Sequence, residues 1–419
     1  MKKRFIAAVT VLALSLSLFS GCSAKVKAKN LTDGIEPNAV PVYNDFAGSE
    51  NIAVSDFAAK LLQQSFKDDK STVISPISVF YALAMTANGA DGETLNQMEA
   101  LFGMDIDTVN NYLHSTVSVL PSDVGYTVDL ANSLWIKDDQ TDFVVNEDFL
   151  KTVKSYYDAA VFMEQFDEET LKSINNWVTQ KTNGKIQDVL DKIDEEAVMY
   201  LVNAINFEAD WQKEYEKTQI DTMAFNKENG EQQQAEFMFS SEYTYLEDEN
   251  TTGFLKYYKD HKYAFVALLP DSDISINHYV AALDGEKIAG LLNNAENEKV
   301  VAAIPKFETT FATEMSDSLK ALGMTDAFDW SVADFGRMGA AQQDGENLCI
   351  NRVIHKAFIR VAEKGTQAGA ATVVEMVTEG AAEIVEKPKQ VYLDRPFVYM
   401  IIDCENNLPL FTGAVTEIE

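Results

Sequence analysis

The side chains best suited to nucleophilic, acid–base or metal chemistry are few in this chain of 419 residues, and they are scattered. The four histidines are His114, His261, His278 and His355; the three cysteines are Cys22, Cys349 and Cys404. No C-x-x-C pair occurs, nor any His/Cys spacing of a metal site. The nucleophile motif G-x-S-x-G, the zinc-protease motif H-E-x-x-H and the phosphate-binding P-loop are missing too. Neither an enzyme nor a cofactor is expected from this set. His355 stands in the run VIHKAFIRVA, on a strand face shared with Val353, Ala357, Ile359 and Val361. A polar ring on such a face reads as a paired core residue rather than a catalyst.

A different chemistry is open to one stretch of backbone. EKGTQAGAATVVEM, Glu363 to Met376, lies between that run and a second apolar run, YLDRPFVYMIID. It lacks the Pro, Asn and Asp chemistry of ordinary turns, and Gly followed by Thr-Val-Val is poor helix material. Strand geometry sends successive side chains to opposite faces. One face then carries Thr366, Ala368, Ala370, Thr372, Val374 and Met376, uncharged and small at its leading end. The other carries Gln367, Gly369, Ala371, Val373 and Glu375. With no Pro to remove a ladder hydrogen bond, the segment is suited to sit as a loop and to fit as a central strand. A merely flexible loop is the bland alternative.

The N-terminus begins with MKKR, continues with the fifteen-residue apolar stretch FIAAVTVLALSLSLF and runs into SGC. This is shorter than the roughly twenty residues of a spanning helix and reads as an export signal. Small residues before Cys22 resemble a bacterial lipobox, with Phe19 where Leu is more usual. In that pattern residues 1–21 are removed and Cys22 is lipidated, which anchors the chain to a membrane without spanning it. Simple signal cleavage and secretion is the alternative. Residues 22–48 are small and polar, with Pro and Gly, and read as a flexible tether.

Net charge is -32, and residues 1–48 hold six basic and three acidic side chains, so residues 49–419 carry -35. Such a surface repels nucleic acid and anionic membranes. Cys349 and Cys404 lie in strand-like apolar runs. They read as buried thiols, with pairing left open because sequence does not give their separation. From about residue 49 no change of composition marks a linker, so 49–419 reads as one domain. SPISVFYALAMTANG has Ser75 as N-cap and Pro76 at the first helical position. TLNQ, Thr94 to Gln97, is a capping-box pattern. LKSINNWVTQKTNGKIQDVL predicts a helix closed by Asn183-Gly184. The runs AVMYLVNAINF, YAFVALLP, KVVAAIPKFET, CINRVIHKAFIRVA and PFVYMIID predict strands. Helices among long strands without regular alternation give an α+β class.

Eight segments in this order resemble the serpin family: VISPISVFYALAMTANGADGET, NSLWI, INNWVTQKTNGKI, LVNAINFEADW, IPKF, LGMTDAF, VIHKAFIRVAEKGTQAGAAT and RPFVYMI with PLFTGAV. Together they span essentially all of 49–419. The resemblance implies three β-sheets, about nine helices and an exposed reactive loop after a long strand of sheet A. It implies a hinge at Gly365, Thr366, Gln367, Ala368, Gly369, Ala370, Ala371 and Thr372. It also implies a hydrogen-bonded shutter beneath sheet A from Ser75, Pro76, Ser78, Asn203 and His355. Trp211 falls at the breach, where the loop begins to enter; ordinary core is its other reading. Three departures are visible: Lys364 before the hinge glycine, Gly369 for a common Ala, and FEAD before Trp211.

By the same resemblance, a target serine protease attacks a bond in the loop and forms an acyl-enzyme. The cut loop then inserts as a new strand and carries the protease with it. Fourteen inserted residues span about 45 Å. The usual spacing of fourteen residues from Gly365 places the bond at Glu379–Gly380. Gly365 to Pro396 is 31 residues, longer than is common, so the window is Met376, Val377, Thr378, Glu379, Gly380, Ala381 and Ala382. Small uncharged side chains suit an elastase-like or subtilisin-like pocket, and Glu379 a glutamate-specific protease. No Arg or Lys in the window speaks for a trypsin-like target. The implied protein is a monomer. A non-inhibitory binding protein, an inhibitor of cysteine proteases and an acidic adhesin are the rival readings.

Overall fold

A strand that is apolar on both faces must be covered on both sides. MYLVNAINF meets that condition: in the strand Met199–Asp210 the first nine residues are all buried. The structure is a computed structural model. It describes residues 28–43, 48–66, 70–117, 120, 123, 125–138, 143–194, 196–340, 348–366 and 388–418.

Sheet A has seven strands in the order Lys29–Asn30, Ala160–Glu164, Tyr126–Lys137, Met199–Asp210, Gly365–Thr366, Arg352–Ala362 and Phe307–Glu314. Sheet B has six: Thr72–Ile74, Leu408–Val415, Phe397–Asp403, Tyr263–Pro270, Thr251–Tyr257 and Thr244–Asp248. Sheet C has four: Lys389–Tyr392, Val300–Pro305, Gln232–Glu242 and Ile220–Asn226. To the three expected sheets the structure adds a short ribbon of Gly339–Ala340 with Val144–Val145. Nine α-helices occur among the described residues. The main core lies between sheets A and B and around the helix Pro76–Ala87, in which every residue is buried. A second core fills the outer face of sheet A, where Trp135, Phe162 and Tyr200 meet Trp177 and Phe166. Sheet A therefore has apolar cover above and below.

Local signals are met with adjustments. Pro76 disfavours helical backbone at the residue before it, and Ser75 is extended, with φ -110° and ψ 96°. Its hydroxyl does not cap the helix; it donates to the carbonyl of Leu410 at 2.7 Å. TLNQ is not a capping box. The helix Gly92–Phe102 starts three residues earlier, on Asp91, which accepts from Gly92 N. Thr94 instead accepts from Asp334 N, and Gln97 accepts from Thr325 N and Asp326 N. The helix Glu168–Lys181 ends just before Asn183 and Gly184, both left-handed. KVVAAIPKFET divides at Lys306 into one strand of sheet C and one of sheet A. Cys349 and Cys404 are thiols, not a disulfide; both lie just outside strands, and Cys404 is only half-buried.

The tether reading covers 22–48, of which the structure describes 28–43 and Gly48, the first residue of the helix Gly48–Ser65. Those residues lie on the domain. Lys29 and Asn30 pair with Met163 and Phe162, and Leu31 N donates to Val161 O at 2.7 Å. The Asn30 side chain accepts from Val161 N and from Thr32 N, and buried Thr32 donates to Ala159 O. Farther on, Asn38 N donates to Ser155 and Tyr43 N to Ser115. A polar composition did not keep this segment free, because an open sheet edge satisfies residues 29–32 and helix hydroxyls at Ser155 and Ser115 accept from Asn38 and Tyr43.

Candidate functional site: a polar row in a half-open sheet

Asn and His in the interior of a strand are tolerated only when hydrogen-bonded. Strand register supplies their partners. Asn203 is paired with Asn132 on one side and with His355 on the other. These residues form a polar row across three strands, directly over Ser75 and Ser78 of the buried helix. The Ser75 N–H donates to His355 Nε2 at 3.1 Å. The ring proton is therefore on Nδ1, and it is donated to Asn203 Oδ1 at 2.8 Å. The Asn203 amide donates to Ser78 O, to Ser78 Oγ and to Asn132 Oδ1. Ser75, Ser78, Asn203 and His355 are fully buried. Burial pushes the imidazole down to about 3, so the ring is neutral at ordinary pH. A neutral ring sealed from solvent and held at both nitrogens ties strands together.

Above this row the sheet is open. Arg352–Lys356 and Tyr200–Ala204 are paired in parallel. Beyond them, Ile205–Glu208 and Ala357–Arg360 are not paired with each other among the described residues. At the top of this slot Gly365 and Thr366 stand between the two strands, antiparallel to both. Gly365 faces Asp210 and Ala362, and Thr366 faces Ala209 and Val361. No side chain fits at Gly365, since a Cβ there would lie 1.9 Å from the Ala209 carbonyl oxygen. Thr366 is buried and shares a hydrogen bond with the Tyr258 hydroxyl. Thr366 thus faces the core, as the alternation of the segment predicts for its first face.

The turn that precedes the slot is held from one side by Trp211 and Tyr215. Trp211 N donates to Lys364 O at 2.7 Å, Trp211 Nε1 to Ala362 O at 2.9 Å, and Tyr215 N to Glu363 O at 2.9 Å. The Trp211 ring is stacked on Tyr258 at 4.3 Å. From the other side Lys306 pairs with Glu363 and with Glu236. On the outer face, the segment after helix Glu168–Lys181 crosses the slot. Lys185 pairs with Glu208 on one strand, and Lys356 on the other donates to Gln187 O at 2.8 Å.

The structure thus brings Ser75, Ser78, Asn203 and His355 together, with Pro76 opening the helix beneath, and sets Trp211 beside Gly365 and Thr366. Gln367, Ala368, Gly369, Ala370, Ala371 and Thr372 lie outside the described residues, as do Met376 to Ala382 and Cys22. Sequence reading missed Asn132, Tyr258, Lys306 and Glu363. A polar residue inside the apolar run LANSLWI was a usable signal for Asn132; the others become neighbours only in three dimensions.

The family described as serpin (serine protease inhibitor) matches residues 52–418. A serpin-like protein of Methanosarcina acetivorans is 29% identical over 421 residues, covering 97% of this chain and 95% of its own. The leukocyte elastase inhibitor of Xenopus laevis is 30% identical over 355 residues, covering 81% and 91%. The thermophilic serpin tengpin in its native state is 44% identical, with a TM-score of 0.87 over 94% of this chain and all of that one. In its latent state the same protein gives 42% and 0.78 over 90% of this chain. With the family's match running through both sheet A and the polar row, the chain belongs to the serpin family.

Proposed function

We propose that this protein is a suicide-substrate inhibitor of serine proteases that traps the acyl-enzyme by inserting its cleaved loop into sheet A. The observation that carries this reading is the slot itself: a gap between two long strands, with Gly365 and Thr366 already seated at its mouth. The two registers of that pair agree. Continued residue by residue, both bring Thr372 level with Asn203 on one side and His355 on the other. An inserted strand therefore fills the upper slot with Gln367 to Ala370, parts the Ala204–Lys356 pair at Ala371 and then parts the His355–Asn203 bond. The small side chains of Ala368, Gly369 and Ala370 suit the upper slot, Ala371 the pair below it, and the Thr372 hydroxyl the polar row. The persistence of the uninserted state is kinetic in this scheme.

Elastase-like or subtilisin-like enzymes are the favoured targets, because the window Met376–Ala382 is mostly small and uncharged. The name of the Xenopus relative, leukocyte elastase inhibitor, supports that choice. Glu379 favours a glutamate-specific protease as the second reading. Export and lipidation at Cys22 would place the inhibitor on the outer face of the cell, as a monomer held by its acyl chains. Incubation of residues 23–419 with elastase, subtilisin and a glutamate-specific protease tests the proposal. An SDS-stable band at the summed mass less a C-terminal peptide is expected, and that peptide's first residue locates the bond. Cleavage by every protease with neither a covalent band nor a rise in thermal stability would leave a non-inhibitory binding protein.

A further inference from the structure

Lys256 is a buried cation that the fold does not need. It lies in the strand Thr251–Tyr257 and is 2% exposed, where a Met or Leu would pack without losing hydration. Its ammonium is 3.0 Å from Glu242 Oε1, which also accepts from the Ser240 hydroxyl. A longer contact of 3.4 Å reaches the Lys213 carbonyl. The same nitrogen lies 4.3 Å from the centre of the Tyr215 ring and 5.2 Å from that of Trp211. Burial holds this amine below its ordinary range despite the carboxylate, so the site disfavours the charge it holds.

Those two rings belong to the residues whose backbone N–H groups hold the turn before the slot, at Lys364 O and Glu363 O. We propose that Lys256, with Glu242, is a positioning residue for loop insertion: it holds Trp211 and Tyr215 together as a cradle that fixes Ala362–Lys364, so that Gly365 and Thr366 stay seated in the slot. Cation–π attraction to two rings at once ties residue 211 to residue 215. Their other side-chain contacts, the Trp211 indole N–H on Ala362 O and its stack on Tyr258, and the Tyr215 hydroxyl with Ser240, do not join the two residues to each other; Gln212 N donates to Tyr257 O between them. The kinetic part of this inference rests on the inhibitory reading above; the structural part does not.

The test compares the full chain with the double variant Lys256→Met/Glu242→Gln, which removes both charges and leaves neither partner alone. Amide hydrogen exchange at Trp211 and Tyr215 is the first readout. The expected result is exchange faster by about fivefold at both, the factor of an ordinary cation–π contact, with a melting temperature that does not fall. Against a protease that the parent traps, the association rate should hold while more inhibitor is turned over per enzyme trapped. Unchanged protection at both amides overturns the proposal. If the double variant melts well below the parent, Tyr215→Phe and Tyr215→Leu decide. Phe keeps the ring and should keep the protection of Trp211 N–H, and Leu should lose it; equal behaviour of the two overturns the cradle. A parent that traps no protease would sink the inhibitory reading and leave the exchange result standing.

Discussion

His355 and Asn203 face each other across the two strands that an inserted strand would have to separate, and Nδ1 of the one donates to Oδ1 of the other at 2.8 Å. The other ring nitrogen accepts from Ser75 N–H. A protonated ring would turn a donor toward that donor.

Acid should therefore loosen this junction. The folded imidazole is held at about 3, well below the ordinary value near 6.5. The unfolded chain binds the proton first as pH falls. The stability this ring confers is complete above about pH 6.5 and is lost progressively from there down toward pH 3. At pH 5 the loss is about 2 kcal/mol. Urea unfolding at pH 7 and pH 5 measures it. The variant His355→Gln should be less stable at pH 7 and show a flatter pH dependence. An equal slope in parent and variant would assign the acid loss to other groups.

Thr366→Arg should separate cleavage from trapping. Thr366 is buried between Ala209 and Val361, with its hydroxyl on Tyr258. A guanidinium there would be desolvated with no partner, which costs several kcal/mol. The variant should still be cut in its loop, form almost no SDS-stable complex and gain little thermal stability on cleavage. Trapping at the parent's efficiency would show that the loop does not insert from this point.

How much of this was legible beforehand follows from the range of each signal. The small, alternating residues after Gly365 and the faces of VIHKAFIRVA depend on strand periodicity, which is local, and Thr366 lies on the face it predicts. Asn132 and Tyr258 are functional neighbours only through register and packing, which one strand alone does not encode. TLNQ misled because Asp91 offered a cap three residues earlier and Thr94 was needed by Asp334. Residues 28–43 are polar enough to read as a free tether, yet a sheet edge and two helix hydroxyls supply their partners. That the slot is open could not be read at all, since it depends on how far two strands about 150 residues apart in the chain stay paired.

Trp211→Phe removes one hydrogen bond and part of a stack. The indole N–H donates to Ala362 O at the end of the strand Arg352–Ala362. Phe leaves that carbonyl without this donor and reduces overlap with Tyr258, for a loss of about 1–2 kcal/mol. The thermal midpoint reports it. A Tm equal to the parent's would mean that the strand end is held by other contacts.

Tyr399 is a place where the fold carries a cost that substitution can remove. Its ring is buried between Phe265 and Phe307, with centroids at 5.7 and 5.4 Å. Its hydroxyl has no hydrogen-bond partner among the described residues. An unpaired buried hydroxyl costs about 1–3 kcal/mol, so Tyr399→Phe should raise stability by about 1 kcal/mol or more, read as a higher denaturant midpoint with an unchanged slope. The ring also occupies the open side of Gly413, where a Cβ would meet Tyr399 Oη at 2.5 Å and Thr72 O at 2.2 Å. Gly413→Ala should therefore destabilise both the parent and the Tyr399→Phe variant, because removal of the hydroxyl leaves the Thr72 carbonyl in place. Recovery of Gly413→Ala in the Phe background would show that the hydroxyl, not the neighbouring strand, is what demands glycine there. A Tyr399→Phe variant less stable than the parent would show that this hydroxyl is paired after all.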